Sequence, residues 1–233
     1  MTLDINTVAD NFCRVRDNVC EAALASGRRP EDVELIAVTK FVDEERIVAA
    51  VSAGAKSVGE NRVQEYLKKA ELFKSKNLNV DIIGQLQTNK AKYIVGDVRL
   101  IQSVDRLSLA QEIDKLAKAR NCVQNILIEV NIGDEEQKGG IAVSELKDFL
   151  YEVSAMQGVC VKGLMCIPPA VDEDEARGYF ANMKKLFDEI AAEKIDGVFM
   201  DELSMGMSGD YMAAVKEGAT MVRVGSAIFG ARY

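Results

Sequence analysis

The stretch Leu35-Ile36-Ala37-Val38-Thr39-Lys40 is the first of eight apolar runs that decide the fold. Short runs of aliphatic and β-branched residues are typical of buried parallel strands. This run ends in a lysine, whose charged form is penalised when it is buried. Such a lysine serves either as a neutral amine, most often to form a Schiff base, or as a strand-end side chain that reaches solvent. The six residues alone leave both interpretations open.

Seven further apolar runs follow, and amphipathic stretches separate them. The predicted strands cover 33–39, 56–59, 80–84, 98–103, 124–131, 159–165, 198–202 and 220–224. The predicted helices between them cover 43–53, 61–75, 88–95, 106–120, 143–156, 172–194 and 209–217, and one more covers 3–26. This alternation predicts an α/β fold, a single (β/α)8 TIM-type barrel with an extra N-terminal helix. We expect one domain over 1–233, with the N-terminal helix in 1–27 and the barrel in 33–233.

Composition excludes several classes of protein. The 233 residues, 48% of them hydrophobic, suffice for the core of one such barrel. A net charge of -8 argues against nucleic acid or an anionic membrane surface as the partner. Five cysteines without a CxxC pair, and no secretion signal or membrane-length apolar run, predict a cytoplasmic protein with reduced thiols. Histidine is absent, which excludes Ser-His-Asp triads, Cys-His dyads and histidine-ligated metals, so we expect no metal site.

In a barrel of this kind the functional site lies at the carboxyl ends of the strands. Lys40 follows the first predicted strand, Leu203-Ser204-Met205-Gly206-Met207-Ser208 the seventh, and Arg223-Val224-Gly225-Ser226 ends the eighth. Glycines and hydroxyls at the last two strands are typical of phosphate binding, although each piece alone is equally an ordinary loop. A lysine and a phosphate cradle on one rim predict a pocket for a phosphorylated aldehyde, pyridoxal 5'-phosphate (PLP).

Six motifs also carry a resemblance to a known family. They are Ala37-Val38-Thr39-Lys40, Gly59-Glu60-Asn61-Arg62-Val63-Gln64-Glu65, Ile83-Gly84-Gln85-Leu86-Gln87-Thr88-Asn89-Lys90, Gly163-Leu164-Met165, Leu203-Ser204-Met205-Gly206-Met207-Ser208 and Val222-Arg223-Val224-Gly225-Ser226-Ala227-Ile228-Phe229-Gly230. Together they resemble the pyridoxal phosphate homeostasis protein family, whose members look like the barrel domain of alanine racemase standing alone. The resemblance spans nearly the whole chain and implies a fold-type III PLP-binding barrel.

The resemblance also implies where the cofactor binds. Lys40 would form the Schiff base with PLP, and Asn61 would lie near the ring substituents. Ser204, Gly225 and Ser226 would hold the phosphate. Threonine is common in the family at the last of these positions, and serine keeps its hydroxyl.

The same resemblance places Arg223 opposite the pyridine nitrogen, with Met205 and Met207 shaping the pocket. Gln85 departs from the family pattern, which often has histidine or another basic side chain at this position. The sequence therefore does not say what lines the side of the pocket near Gln85. Lys138, in a glycine-rich loop, is either a phosphate contact or an exposed side chain.

A guanidinium stays protonated, so a pyridine nitrogen that faces it must accept a hydrogen bond and remain unprotonated. Such a ring is a poorer electron sink. Racemisation also needs a base on each face of the substrate, and in the racemases the second base is a tyrosine from a carboxy-terminal domain of the partner subunit. This chain ends at Tyr233, directly after the barrel, so we expect no efficient racemase and no robust catalytic activity.

Three function classes remain open at this stage. The favoured one is a PLP-binding protein of intracellular PLP homeostasis, which holds PLP as a Schiff base and buffers it or delivers it to PLP-dependent apoenzymes. The alternatives are a weak PLP-dependent amino-acid racemase or related enzyme, and a Schiff-base aldolase. We expect a monomer, because the dimerisation domain of the racemases is missing.

Overall fold

The computed structural model describes residues 4–135, 137 and 139–230. Its strands are β1 (Glu34–Val38), β2 (Ser57–Glu60), β3 (Asn79–Ile82), β4 (Leu100–Val104), β5 (Gln124–Asn131), β6 (Ile141–Ala142), β7 (Val159–Cys166), β8 (Val198–Ser204) and β9 (Met221–Val224). All of these strands except β6 form one closed parallel barrel, in which β4 pairs with β5 and β9 pairs back with β1. The short β6 adds to β5 outside this ring.

The helices cover the outside of the barrel. They are α1 (Ile5–Ala25), α2 (Glu44–Ser52), α3 (Val63–Ser75), α4 (Leu107–Ala119), α5 (Leu146–Ser154), α6 (Glu173–Glu193), α7 (Tyr211–Lys216) and α8 (Ser226–Phe229). Helix α1 buries Val8, Phe12, Val15 and Val19, which the spacing of three and four residues places on one face. This face packs against α2, α7 and α8, so α1 is the extra helix before the barrel that the sequence predicts.

The interior of the barrel has its own apolar cluster, made of Ile36, Leu100, Leu127, Met165 and Met221. Apolar neighbours along the strands, such as Ala37, Ile101 and Val222, belong instead to the larger core beneath the helices, as the two-residue period of a strand requires.

An ion-pair network lies on the amino-terminal side of this interior cluster. Arg99 Nη1 lies 2.6 Å from Glu34 Oε1, and Arg99 Nη2 lies 2.7 Å from the fully buried Asp81 Oδ2. The barrel is therefore filled in its middle and closed by ion pairs at its amino-terminal end.

The eight predicted strands are confirmed, with ends that shift by up to two residues. The predicted helix over 88–95 is wrong in type, because residues Thr88–Tyr93 form a 3-10 helix. Only Ala91 is buried within these six residues, and the other buried apolar residues of the predicted range, Ile94 and Val95, follow the 3-10 segment. Sequence analysis missed β6 and α8, which are two and four residues long. In the part of the chain that is described, no helix is both long and apolar enough to cross a membrane.

Candidate functional site

Five of the seven predicted cofactor-binding residues line one cavity of about 510 Å³. Residues at or just after the ends of β1, β2, β3, β7, β8 and β9 form its walls, so it lies at the carboxyl ends of the strands. The five residues are Lys40, Asn61, Arg223, Gly225 and Ser226. We call this space the Lys40 cavity.

The backbone on both sides of Lys40 is held in place by hydrogen bonds. Before it, the carbonyl of Thr39 accepts a 2.7 Å hydrogen bond from Lys69 Nζ. After it, the backbone N–H of Phe41 donates to Glu65 Oε2 over 2.7 Å. Phe41 has φ of 59°, in the left-handed region that non-glycine residues rarely adopt. These hydrogen bonds therefore hold the turn at Lys40 in a backbone conformation that would otherwise be unfavourable.

A buried ion pair lies directly behind this turn. Lys69 Nζ is 2.8 Å from Glu60 Oε1, which also accepts a 2.7 Å hydrogen bond from the hydroxyl of Thr39. Glu60 is fully buried, and burial raises its pKa although Lys69 opposes the shift. The pair thus ties the end of β1 to the end of β2 and to α3.

Arg223 lies on β9 and is 3% exposed, with its guanidinium at the floor of the Lys40 cavity. Its Nη1 donates to Ser204 Oγ over 2.6 Å and its Nη2 donates to the carbonyl of Cys166 over 2.9 Å. Burial lowers the pKa of Arg223, yet a guanidinium stays protonated in proteins. Arg223 can therefore act only as a cation and hydrogen-bond donor towards the cavity.

The other two predicted residues lie deeper. Ser204 is fully buried, and its hydroxyl donates to Gln102 Oε1 over 2.7 Å while accepting from Arg223. Met205 is also fully buried and packs in the main core. The contacts of Ser204 favour a role in holding Arg223, and its predicted phosphate contact stays a prediction.

Ser208 also lines the cavity; the sequence placed it in a stretch typical of phosphate binding but gave it no individual role. Its Oγ accepts hydrogen bonds from the backbone N–H groups of Gly225 (3.1 Å) and Ala227 (3.3 Å). The hydroxyl therefore joins the two loops and keeps its own proton for an acceptor in the cavity. Ser208 lies with Ser226 and Gly225 along one wall, and Met207 is a half-exposed lining residue beside them. The signal was present in the predicted loop, which contains two serines four residues apart.

Sequence analysis also missed a buried acid, Glu129 on β5. Its Oε2 has no hydrogen-bond partner among the described residues. Burial, with the charge of Asp105, raises the pKa of Glu129 to about 7, against the opposing charge of Arg223. The sequence signal is an acidic residue within an otherwise apolar strand, which indicates a costly and often functional position.

A second cavity, of about 1060 Å³, adjoins the Lys40 cavity and shares Asn61 with it. Gln85 is exposed and lines this second cavity, while Lys138 lies outside the described residues. Five cationic side chains also line it, and we call it the cationic cavity: Arg62, Lys68, Lys69, Lys90 and Arg106.

Comparison with known proteins agrees with this architecture. Residues 13–233 match the family described as alanine racemase, N-terminal domain. A protein of Aquifex aeolicus named pyridoxal phosphate homeostasis protein is 44% identical over 224 residues, which cover 96% of this chain and 97% of that protein.

Two solved structures are similar over most of their length. An unknown protein from Bifidobacterium adolescentis has a TM-score of 0.90 at 35% identity and covers 97% of each chain. PipY of Synechococcus elongatus PCC7942, solved with PLP bound, has a TM-score of 0.79 at 36% identity, covering 91% of this chain and 100% of PipY. With its parallel barrel and its alanine racemase N-terminal domain, this chain therefore belongs to the pyridoxal phosphate homeostasis protein family.

Proposed function

We propose that this protein binds PLP through Lys40 and takes part in intracellular PLP homeostasis, buffering the cofactor or delivering it. The observation that carries the proposal is the Lys40 cavity, which brings an amine, a guanidinium and two hydroxyls together at the carboxyl end of one barrel. Support also comes from the name of the Aquifex aeolicus relative and from the PLP in the PipY structure.

The chemistry of these side chains fits PLP. Lys40 would supply the amine that attaches the aldehyde, and Arg223 would face the ring nitrogen. Ser208 and Ser226 offer hydroxyl donors for the phosphate on the wall that Gly225 also lines. We keep Ser204, with Met205, as predicted contributors that act from beneath the cavity floor.

Asn61 supplies a further sign of fit. Its Oδ1 is buried and has no hydrogen-bond partner among the described residues. A buried polar atom without a partner is costly, and a polar substituent of a bound ring would offset that cost. We therefore assign Asn61 to the ring substituents of PLP.

PLP supplies a reactive aldehyde and an electron-withdrawing ring when it is bound. Arg223 carries a positive charge and only donors, so it would hold the ring nitrogen unprotonated and limit that electron withdrawal. The buried ion pair of Lys69 and Glu60 keeps the turn around Lys40 in place. These residues therefore favour holding a cofactor over promoting fast proton abstraction.

Several expectations from the sequence complete the proposal. We propose one domain that acts as a monomer and passes PLP to PLP-dependent apoenzymes. A cytoplasmic location stays a prediction, to be tested by cell fractionation.

The binding proposal is tested by spectroscopy on purified protein incubated with PLP. We expect a yellow protein whose colour is lost in Lys40→Ala and kept in Lys115→Ala, a control lysine on the exposed face of α4. Borohydride treatment should leave a stable PLP adduct on Lys40, found by peptide mass mapping. A colourless wild type, or an adduct that forms equally in Lys40→Ala, contradicts the proposal.

The homeostasis proposal needs its own experiment. A strain that lacks the gene should show an imbalance of vitamin B6 forms, which wild type corrects and Lys40→Ala does not. Purified protein should exchange the α-proton of amino acids slowly in deuterated water. Fast exchange with turnover on one amino acid would instead favour the weak-enzyme alternative.

A further inference from the structure

The cationic cavity differs in charge from the rest of the molecule. The chain has a net charge of -8, yet five cationic side chains line this space, and Glu65 is the one carboxylate among the described residues that line it. Its walls are the segments after β1, β2, β3 and β4, on the same rim of the barrel as the Lys40 cavity. A concave site with one sign of charge focuses the field and attracts small ions of the opposite sign.

Two of the five cations already have buried or fixed partners. Lys69 is held by Glu60 and by the carbonyl of Thr39. Arg106 Nη1 is 2.5 Å from Asp105 Oδ1, and its Nη2 donates to the carbonyl of Leu86. These contacts give the two side chains fixed positions in the cavity wall.

The other three cations have no carboxylate within ion-pair distance in the described part of the chain. They are Arg62, Lys68 and Lys90, of which Arg62 lies over the ring of Phe41 (5.8 Å) and Lys90 over that of Tyr93 (5.8 Å). Lys68 is exposed on α3 and makes no side-chain hydrogen bond to another residue that the structure describes. No described carboxylate neutralises these three side chains, so the rim of this cavity carries a net positive charge.

We propose that the cationic cavity is a second binding site, which takes a small multiply charged anion, either a polycarboxylate or a phosphate compound. Its volume of about 1060 Å³ is twice that of the Lys40 cavity and suits a small molecule. The neutral donors Gln64, Gln85 and Gln87 lie on the same walls and can hydrogen-bond the anion.

The cationic cavity is also connected to the turn that presents Lys40. Lys69 and Glu65 both line it, and they hold the residues immediately before and after Lys40 by hydrogen bonds of 2.7 Å each. An anion that pairs with Lys69 therefore changes the hydrogen bonds that hold the turn around Lys40. The anion site stands without the proposed function, whereas this coupling rests on PLP binding at Lys40.

The test is calorimetric titration of citrate and of pyrophosphate, at constant ionic strength, into protein without PLP. We expect saturable binding of at least one of them, and the stronger of the two identifies the ligand as polycarboxylate or phosphate. The variant Lys68→Gln/Lys90→Gln should weaken this binding at least tenfold. The matched control Lys115→Gln/Lys185→Gln removes two exposed lysines elsewhere, on α4 and α6, and should leave it unchanged.

Absence of saturable binding to wild type, or equal binding to Lys68→Gln/Lys90→Gln, overturns the anion site. A thermal melt of each variant shows that it is folded. The coupling is tested by repeating the titration on protein whose PLP has been fixed with borohydride. Coupled sites change each other's affinity by the same factor, so an identical anion affinity with and without PLP overturns the coupling. Failure of PLP to colour the protein is a separate result, because it leaves the titration without PLP intact.

Discussion

Arg223 donates a 2.6 Å hydrogen bond to Ser204, and this contact continues as a polar chain down the inside of the barrel. The Ser204 hydroxyl donates to Gln102 Oε1, and Gln102 Nε2 donates to Asp81 Oδ2, both over 2.7 Å. Asp81 in turn pairs with Arg99. The site is thus linked to the ion pairs at the opposite end of the barrel through buried groups, each of which depends on its neighbours for satisfaction.

Ser204, at the end of β8, and Ser208, in the loop after it, should behave differently when each is changed to alanine. Ser208→Ala removes a hydroxyl from the wall that we propose binds the phosphate, so the affinity for PLP should fall by roughly tenfold or more, while that for pyridoxal, which lacks the phosphate, should not change. Ser204→Ala leaves Arg223 and Gln102 short of a partner, so it should lower the free energy of unfolding by about 1–3 kcal/mol.

Fluorescence titration with PLP and pyridoxal, together with urea unfolding, checks both serine variants. Ser204→Ala should weaken binding of the two ligands by the same factor. If Ser204→Ala loses affinity for PLP but not for pyridoxal, Ser204 contacts the phosphate and the prediction is wrong.

The raised pKa of Glu129 predicts that the free energy of unfolding decreases as the pH rises. Its pKa is about 7 in the folded protein and 4.5 ordinarily, so between these values the folded state binds more protons than the unfolded state. The contribution of Glu129 is therefore fully present below pH 4.5 and is lost as the pH passes 7, a change of about 3 kcal/mol.

Urea unfolding of wild type and Glu129→Gln at pH 5 and pH 8 measures this effect. The free energy of unfolding of Glu129→Gln minus that of wild type should be more positive at pH 8 than at pH 5 by about 2–3 kcal/mol. If this difference is the same at both pH values, Glu129 ionises normally in the folded protein.

Arg99→Met should destabilise the barrel from its amino-terminal end. It would leave the fully buried Asp81 without its charged partner, which costs about 3–5 kcal/mol. Burial already raises the pKa of Asp81, and Arg99 opposes that shift. The double variant Arg99→Met/Asp81→Leu removes both charges and should recover part of the loss, because Gln102 Nε2 then lacks its acceptor on Asp81. Urea midpoints and slopes of the three proteins test this, and a double variant as unstable as the single one would contradict it.

Gly163 marks a close approach between β7 and β8. Its φ is +148°, and a Cβ built there would lie 1.8 Å from the carbonyl oxygen of Glu202, at a shift in the register of the two strands. Gly163→Ala should therefore destabilise the fold by about 4 kcal/mol or more. Gly178→Ala is the matched control, because Gly178 is exposed on α6 with open space around it, and alanine should stabilise that helix by about 0.5–1 kcal/mol.

Thermal melts of the two glycine variants distinguish these outcomes. A melting temperature of Gly163→Ala near that of wild type would mean that the strands can separate at Gly163 without penalty.

Much of the fold follows from the sequence because buried strands leave a direct record in it. Runs such as Leu35–Val38 and Ile126–Ile128 are apolar on both faces, and each predicts its strand within two residues. The two-residue strand β6 and the four-residue helix α8 are too short to show a period, so pattern alone does not detect them.

The site was predictable in part for a related reason. Lys40, Asn61 and Arg223 stand at strand ends, where the barrel brings distant residues together. The choice between Ser204 and Ser208 depends on how the loop turns after β8, which the sequence does not state. Glu129 shows the same limit, because the direction in which a strand residue points depends on the register of the finished sheet.

The ion pairs of Arg99 with Glu34 and Asp81 lie on the amino-terminal side of the apolar cluster that fills the barrel. The Lys40 cavity lies on the other side of this cluster, at the carboxyl ends of the strands. A molecule bound there would therefore enter and leave on the carboxyl-terminal side of the barrel, and the residues of that rim would govern both its arrival and its departure.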